Sequence, residues 1–191
     1  MGVKIMVTGV VQGVGFRPLV YSLAIKHNAY GYVQNTPEGV KILLDVDMST
    51  ANNFITELYA SLPAIAEIKS LDISNVILDK AYNNFEILSS IQGDGIADIP
   101  ADTAICDKCL DDIFNFSSRY YLYPYTSCMH CGPRYSAIES LPYDRDKTVY
   151  SDFALCNDCN DAYTDPLNRR FHAQTVIPPL LVALKNTFIS R

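Results

Sequence analysis

The stretch Val11-Gln12-Gly13-Val14-Gly15-Phe16-Arg17 decides the fold of the first half of the chain. It follows the alternating apolar residues Val3, Ile5 and Val7, which predict a strand, and it precedes apolar residues at helical spacing. Its two glycines allow the backbone to turn tightly between these elements. The sequence therefore predicts a strand, a tight turn and a helix whose first N–H groups are available to a ligand.

The residues up to about position 90 keep alternating between strand and helix periodicity. The first helix is predicted from Phe16 to His27, with Pro18 harmlessly placed in its first turn. Further strands are predicted at 30–35, 40–46, 68–78 and 85–88. A second helix is predicted with Ser49 or Thr50 as its cap. Its apolar face carries Phe54, Ile55, Leu58 and Leu62. This β-α-β-β-α-β order with a final short strand predicts an α+β, ferredoxin-like fold.

A change of composition separates this first domain from the rest of the chain. The stretch from Gln92 to Ala101 is polar and rich in glycine. We therefore expect one domain at 1–92, a small irregular region with Cys-x-x-Cys pairs at 102–175, and a divergent tail at 176–191.

Charge and hydropathy limit the classes of function. The net charge is −6, which does not favour a nucleic-acid-binding protein. The longest apolar stretch, 176–184, contains Pro178 and Pro179 and falls far short of the roughly 20 residues that span a bilayer. The first residues also lack the apolar core of a signal peptide. We expect a cytoplasmic protein without a membrane span.

The glycine turn has the features of an anion-binding site. Successive N–H groups and the positive end of a helix dipole favour an oxyanion, and the guanidinium of Arg17 can hold a phosphoryl group through two hydrogen bonds. An ordinary turn with an exposed arginine is the simpler alternative. A nucleotide site is disfavoured, because the Lys-Ser/Thr ending of a P-loop is missing and Pro18 stands where a dinucleotide fingerprint has its third glycine.

A second motif supports the anion site. The stretch Gly31-Tyr32-Val33-Gln34-Asn35-Thr36-Pro37-Glu38-Gly39, together with the loop at 11–17, resembles the paired signatures of the acylphosphatase family. The resemblance covers residues 3–90 and implies an acylphosphatase sandwich. It implies that the phosphate is bound by the loop Gln12, Gly13, Val14, Gly15, Phe16 and Arg17. It also implies that the amide of Asn35 orients the attacking water.

The six cysteines all follow residue 105 and form three Cys-x-x-Cys pairs. Cys106, Cys109, Cys128 and Cys131 have the spacing of two zinc-ribbon knuckles, which predicts one closed structural zinc site. Redox-active pairs and buried free thiols are the alternatives. Zinc is the cofactor that the spacing favours, because a redox motif is more typically single and beside a βαβ unit.

The third pair belongs to an internal repeat with an offset of 50 residues. Cys156 and Cys159 align with the first pair, and Arg169 aligns with Arg119. The positions where a fourth pair should follow hold Pro178 and Leu181. Of the nearby residues only His172 could add a ligand, and we expect it to be a packing residue, as we expect His130 not to be a ligand. The second zinc site is therefore predicted to be incomplete.

The combination of both regions resembles one family in particular. An acylphosphatase-type domain, Cys-x-x-Cys fingers, and the motifs at 131–135 (CGPRY) and 169–174 (RRFHAQ) resemble the N-terminus of the HypF-type carbamoyltransferases of nickel–iron hydrogenase maturation. The resemblance implies hydrolysis of carbamoyl phosphate to carbamate in the first domain. Later domains of the family then activate carbamate with ATP and pass it to a partner protein's C-terminal cysteine.

The chain departs from that family at Thr175. The expected fourth Cys-x-x-Cys pair is replaced by the apolar tail TVIPPLLVALKNTFISR. We therefore expect a truncated member with an exposed tail, which retains hydrolysis of an acyl phosphate but not full carbamoyl transfer. A hydrogenase maturation protein is the macromolecular partner that the family implies. The alternative is a non-catalytic, zinc-stabilised interaction fragment.

Overall fold

The computed structural model describes residues 1–91, 99–140 and 143–178. The chain divides into two compact units, Met1–Pro100 and Ala101–Arg191. They are called the first unit and the second unit below.

The first unit is a five-stranded mixed sheet with two helices. Its elements are β1 (Gly2–Val10), α1 (Phe16–Lys26), β2 (Gly31–Thr36), β3 (Gly39–Leu44), α2 (Met48–Ala60), β4 (Glu67–Val76) and β5 (Phe85–Ile87). The strand order is β4-β1-β3-β2-β5. All neighbouring strands are antiparallel except β2 and β5, which run parallel. The predicted α+β, acylphosphatase-like fold is confirmed.

The hydrophobic core lies between the sheet and the helices. Strand β1 buries Val3, Ile5 and Val7 completely, because alternate side chains of a strand point to the same face. Helix α2 adds Phe54 and Leu58, which are equally inaccessible to solvent. Each such side chain contributes about 1.5–3 kcal/mol of burial free energy. The core thereby fixes the start of α1 against the sheet.

The predicted cap of the second helix is wrong. Helix α2 begins at Met48, and its cap is Asp47, whose carboxylate accepts a 2.7 Å hydrogen bond from the N–H of Thr50. Ser49 and Thr50 lie inside the first turn, where their own amides need an acceptor. Leu62, placed on the helix face by the periodicity, lies beyond the last helical residue but still packs against the core.

The second unit contains two copies of one short structure. Helix α3 (Asp107–Phe114) and helix α4 (Asn157–Thr164) have the same length, and each begins directly after the first cysteine of a Cys-x-x-Cys pair. Leu122 and His172, also 50 positions apart, both have left-handed backbone conformations, with φ of 54° and 50°. The repeat seen in the sequence is therefore a structural repeat. Short 3-10 turns at 129–131, 135–137 and 145–147 make up the remaining regular structure of the described residues.

The expectation of an exposed tail from Val176 is wrong for its first two residues. Val176 is 2% exposed and packs with Cys159 and Ala173. Ile177 is 1% exposed and packs in a second cluster, made with Tyr120, Tyr123, Ala137 and Tyr150. Val176 and Ile177 are therefore core residues of the second unit. The other apolar residues of the tail, Leu180, Leu181, Val182 and Leu184, lie outside the described residues.

None of the helices among the described residues is long and apolar enough to cross a membrane.

Candidate functional site

The loop between β1 and α1 is shaped by two glycines in left-handed conformations. Gly13 has a φ of 71°, and Gly15, which caps α1, has a φ of 78°. Residues other than glycine rarely adopt these backbone angles. The intervening Val14 and the following Phe16 are buried in the core, so the apolar side chains point inward while the main chain forms the loop. No side chain among the described residues caps the start of α1, and the positive end of its helix dipole favours an anion at this position.

Gln12 ties this loop to the hairpin between β2 and β3. Its side-chain amide donates two hydrogen bonds of 2.9 Å, one to the main-chain oxygen of Thr36 and one to that of Gly39. Gln12 is almost completely buried, so these bonds are shielded from water. The phosphate-loop motif and the Asn35 motif, 24 residues apart at this contact, are therefore joined directly.

Arg17 and Asn35 are the two charged or polar residues that the sequence assigns to catalysis. Arg17 lies in the first turn of α1 and is 9% exposed, which is unusual for an arginine. Asn35 lies in β2 opposite Val40 and is 3% exposed. The side-chain oxygen of Asn35 has no hydrogen-bond partner among the described residues. A buried polar atom of this kind is typical of a position that a ligand or an ordered water completes.

The first four cysteines meet at one point of the second unit. The sulfur atoms of Cys106, Cys109, Cys128 and Cys131 all lie within 4.8 Å of one another. The Sγ atoms of Cys106 and Cys128 are 3.7 Å apart, and those of Cys128 and Cys131 are 3.8 Å apart. A tetrahedron with metal–sulfur bonds of about 2.3 Å has edges of about 3.8 Å. The cluster therefore fits a four-coordinate metal ion, and no described residue outside it joins the group.

The two histidines near the cysteines have other surroundings. His130 lies in the 3-10 turn between Cys128 and Cys131 and is exposed. The ring of His172 stacks on Tyr163 at a centroid distance of 4.9 Å and meets the ring of Phe171 edge-on. Neither belongs to the four-cysteine group.

The third cysteine pair is held by an arginine. One Nη atom of Arg119 lies 3.4 Å from the sulfur atoms of both Cys156 and Cys159, and the other lies 2.7 Å from the carboxylate of Asp158. The hydrogen bond from Arg119 lowers the pKa of the Cys156 thiol. Burial raises the pKa of the Cys159 thiol to about 11. Among the described residues these two cysteines belong to no group of three or more possible metal ligands.

The contacts between the two repeats were not predicted from the sequence. Arg169, from the second repeat, donates a 2.9 Å hydrogen bond to the sulfur of Cys109 in the first repeat, and it also pairs with Asp112. Arg119, from the first repeat, makes the equivalent contact with Cys156 and Cys159 of the second repeat. The alignment of Arg119 with Arg169 was the available signal, but sequence spacing alone does not reveal which cysteine pair each arginine meets.

Comparisons with known proteins match both units. A family model for acylphosphatase matches residues 3–87, and one for the HypF finger matches residues 105–138 and 155–177. The acylphosphatase of Lactobacillus johnsonii is 31% identical over 87 residues, which cover 45% of this chain and 96% of that protein.

The larger relatives cover both units together. The probable carbamoyltransferase HypF of Methanocaldococcus jannaschii is 43% identical over 148 residues, which are 76% of this chain and 19% of that protein. A crystal structure of full-length HypF in a phosphate- and nucleotide-bound form superimposes with a TM-score of 0.84 at 37% identity and covers 93% of this chain and 23% of its own. The chain thus spans about a fifth of the length of these relatives. The chain belongs to the HypF family of carbamoyltransferases, of which it carries the N-terminal acylphosphatase domain and the HypF finger region.

Proposed function

We propose that the first unit hydrolyses an acyl phosphate, with carbamoyl phosphate as its preferred substrate, and so supplies carbamate for carbamoyl transfer in nickel–iron hydrogenase maturation. The observation that carries the proposal is the buried side-chain oxygen of Asn35, which has no hydrogen-bond partner among the described residues. Asn35 precedes Thr36, whose main-chain oxygen is hydrogen-bonded to Gln12 of the glycine loop. A water molecule placed there donates one hydrogen bond to that oxygen and keeps a lone pair free for attack.

The chemistry needs few groups. An acyl phosphate already has a good leaving group, so the protein has to hold the phosphoryl oxygens and place the water in line. The N–H groups at the start of α1 and the guanidinium of Arg17 bind the three charged oxygens. The water oxygen forms a bond to phosphorus while the bond from phosphorus to the acyl oxygen breaks. The products are inorganic phosphate and a carboxylate, which is carbamate when the substrate is carbamoyl phosphate.

We also propose that zinc is the ion that the first four cysteines hold. Four thiolates in a closed tetrahedral set are typical of structural zinc, and Cys109, Cys128 and Cys131 are buried. Such a site folds and stiffens the second unit without an open coordination position for catalysis. The hydrolytic site and the metal centre therefore have separate roles in separate units.

Release of phosphate tests the hydrolytic proposal. Carbamoyl phosphate and acetyl phosphate are incubated with the wild-type chain, with Arg17→Ala, with Asn35→Ala and with Lys41→Ala, and a protein-free sample corrects for spontaneous decay. Loss of one charge-stabilising donor typically lowers kcat by about 10²–10³. We expect Arg17→Ala to lose nearly all activity and Asn35→Ala to lose it mainly in kcat. Lys41→Ala, which removes a cation from the neighbouring strand β3, should keep the wild-type rate.

Two results decide against the proposal. If either Arg17→Ala or Asn35→Ala keeps the rate within about tenfold of the wild type, the residue assignment is wrong, since one donor alone should cost more. If the wild-type chain itself releases no phosphate beyond the protein-free sample, the chain is a non-catalytic, metal-stabilised interaction fragment.

A further inference from the structure

Each half of the HypF finger contributes an arginine that contacts cysteine sulfur in the other half. Finger one denotes residues 105–138 and finger two denotes residues 155–177, as the family model divides them. Arg119 of finger one reaches the cysteine pair of finger two. Arg169 of finger two reaches Cys109 of finger one, 60 positions earlier in the chain. The first and the third cysteine pair are therefore each contacted by an arginine from the other half.

The contact of Arg169 is directed at the metal centre. Its Nη1 donates to the sulfur of Cys109 at 2.9 Å, and its Nη2 lies 3.3 Å from the main-chain oxygen of Lys108 and also pairs with Asp112. The guanidinium thus binds the sulfur ligand and the first turn of α3 behind it. Cys109 is fully buried, so the electrostatic attraction is screened less than at the surface.

The charge of the centre explains why a cation belongs there. Four thiolates around a divalent ion carry a net charge of about −2, and burying that charge is costly without compensation. An N–H donor at a coordinated sulfur spreads the negative charge and fixes the orientation of the ligand. Arg169 provides both effects, although finger two contains none of the four cysteines of the metal centre.

We propose that Arg169 is a positioning residue for the metal centre of finger one, since it fixes the orientation of the Cys109 ligand from finger two. This inference rests on the four-cysteine site and not on the hydrolytic activity. It gives finger two a role although Cys156 and Cys159 join no group of three or more possible ligands among the described residues. Finger two has its arginine, its helix α4 and the buried Val176 and Ile177.

Arg170 provides a matched control for the structural part of the contact. Its guanidinium also pairs with Asp112, and it stacks on the ring of Tyr120 at 3.9 Å. Arg170 makes no hydrogen bond to a cysteine sulfur among the described residues. A variant of Arg170 therefore disturbs the same carboxylate and the same packing while leaving the hydrogen bond to Cys109 in place.

The experiment measures how tightly zinc is held. The full chain is loaded with zinc, and transfer of the ion to a chromogenic chelator is followed for wild type, Arg169→Gln, Arg169→Lys, Arg170→Gln and Arg119→Gln. Loss of such a supporting contact typically weakens metal affinity by about 10–100-fold. We expect that loss for Arg169→Gln and a smaller one for Arg169→Lys, whose ammonium keeps the charge but not the two-pronged geometry. Arg170→Gln and Arg119→Gln should stay within about threefold of wild type, because neither change removes a donor from the four-cysteine site.

A spectroscopic measurement separates positioning from loss of folding. With cobalt in place of zinc, the sulfur-to-cobalt charge-transfer band should move to lower energy in Arg169→Gln, since the sulfur loses a hydrogen bond that stabilised its electrons. Arg170→Gln should leave the band in place. If Arg169→Gln and Arg170→Gln release zinc equally fast and share the wild-type band, Arg169 acts only through packing and the proposal is overturned. If Arg169→Gln does not fold even with metal, Arg169→Lys takes its place. Its zinc release and its cobalt charge-transfer band are then compared with those of Arg170→Gln, and equal results overturn the proposal.

Discussion

The side-chain amide of Gln12 donates a 2.9 Å hydrogen bond to the main-chain oxygen of Thr36, the residue that follows Asn35. The bond joins the loop that precedes Arg17 to the end of β2, where Asn35 carries the amide that we propose binds the attacking water. Both partners are buried, so no water substitutes for the bond if it is lost. The geometry of the proposed site therefore depends on a residue that does not itself perform the chemistry.

Replacing Gln12 with alanine should harm both stability and turnover. The main-chain oxygens of Thr36 and Gly39 lose the Gln12 donor, and that of Gly39 keeps only the longer, 3.4 Å hydrogen bond from the Thr36 hydroxyl. A buried polar group left unsatisfied costs about 1–3 kcal/mol. The loop is then free to shift, and a misplacement of about 1 Å can lower the rate about 10²-fold. Hydrogen exchange of the β1 and β3 amides reports the stability of the first unit, and phosphate release reports the rate. A variant with wild-type exchange and wild-type kcat would show that the cross-link is dispensable.

The fold of the first unit could be predicted from the sequence because its signals are local. The alternation at Val3, Ile5 and Val7, the helical spacing after Phe16 and the hairpin turn each identify one element. The order of these elements along the chain then indicates the ferredoxin-like class. The cap of α2 was predicted wrongly because Asp47, Ser49 and Thr50 are all good capping residues, and only the actual start of the helix at Met48 selects among them.

The second unit was less predictable because its contacts are distant in sequence. The four-cysteine group follows from spacing, since each Cys-x-x-Cys pair presents two sulfurs to one point. The crossed arginines and the burial of Val176 and Ile177 depend on how the two repeats meet. A short apolar segment without periodicity gives no sequence signal that distinguishes a core position from an exposed one.

The number of tightly bound metal ions should be one per chain. The first four cysteines make a closed set, whereas Cys156 and Cys159 join no such group among the described residues. Native mass spectrometry of the zinc-loaded chain should show a single retained ion. Cys128→Ser should lose that ion, because it removes one of the four ligands, and Cys156→Ser should keep it. Two tightly held ions in the wild type would contradict the assignment of the second site as incomplete.

Replacing Ile177 with alanine should destabilise the second unit. Ile177 is 1% exposed within the cluster that contains Tyr120, Tyr123 and Tyr150. Truncation of a buried isoleucine to alanine typically costs about 2–5 kcal/mol, since apolar contacts are lost and a cavity remains. Leu167, which is exposed, provides the control: Leu167→Ala should change stability by about 0.5 kcal/mol or less. Hydrogen exchange in α3 and α4 measures both effects, and an equal response of the two variants would show that position 177 is not part of the core.

The stability of the first unit should depend on pH through Glu57. Its carboxylate in α2 accepts hydrogen bonds from Lys26 and from Nε2 of His27, at the end of α1, and these bonds lower the pKa of Glu57 below its usual value of 4.5. A carboxyl group whose pKa is lowered by folding contributes stability above its unfolded pKa, and that contribution is lost as the pH falls through the folded pKa. Glu57→Gln should therefore be less stable than wild type at pH 7, with the difference shrinking as the pH falls from 7 to 3. Exchange of the β1 and β3 amides at the two pH values measures the difference, and a deficit that persists undiminished at pH 3 would mean that the charge of Glu57 is not what joins the two helices.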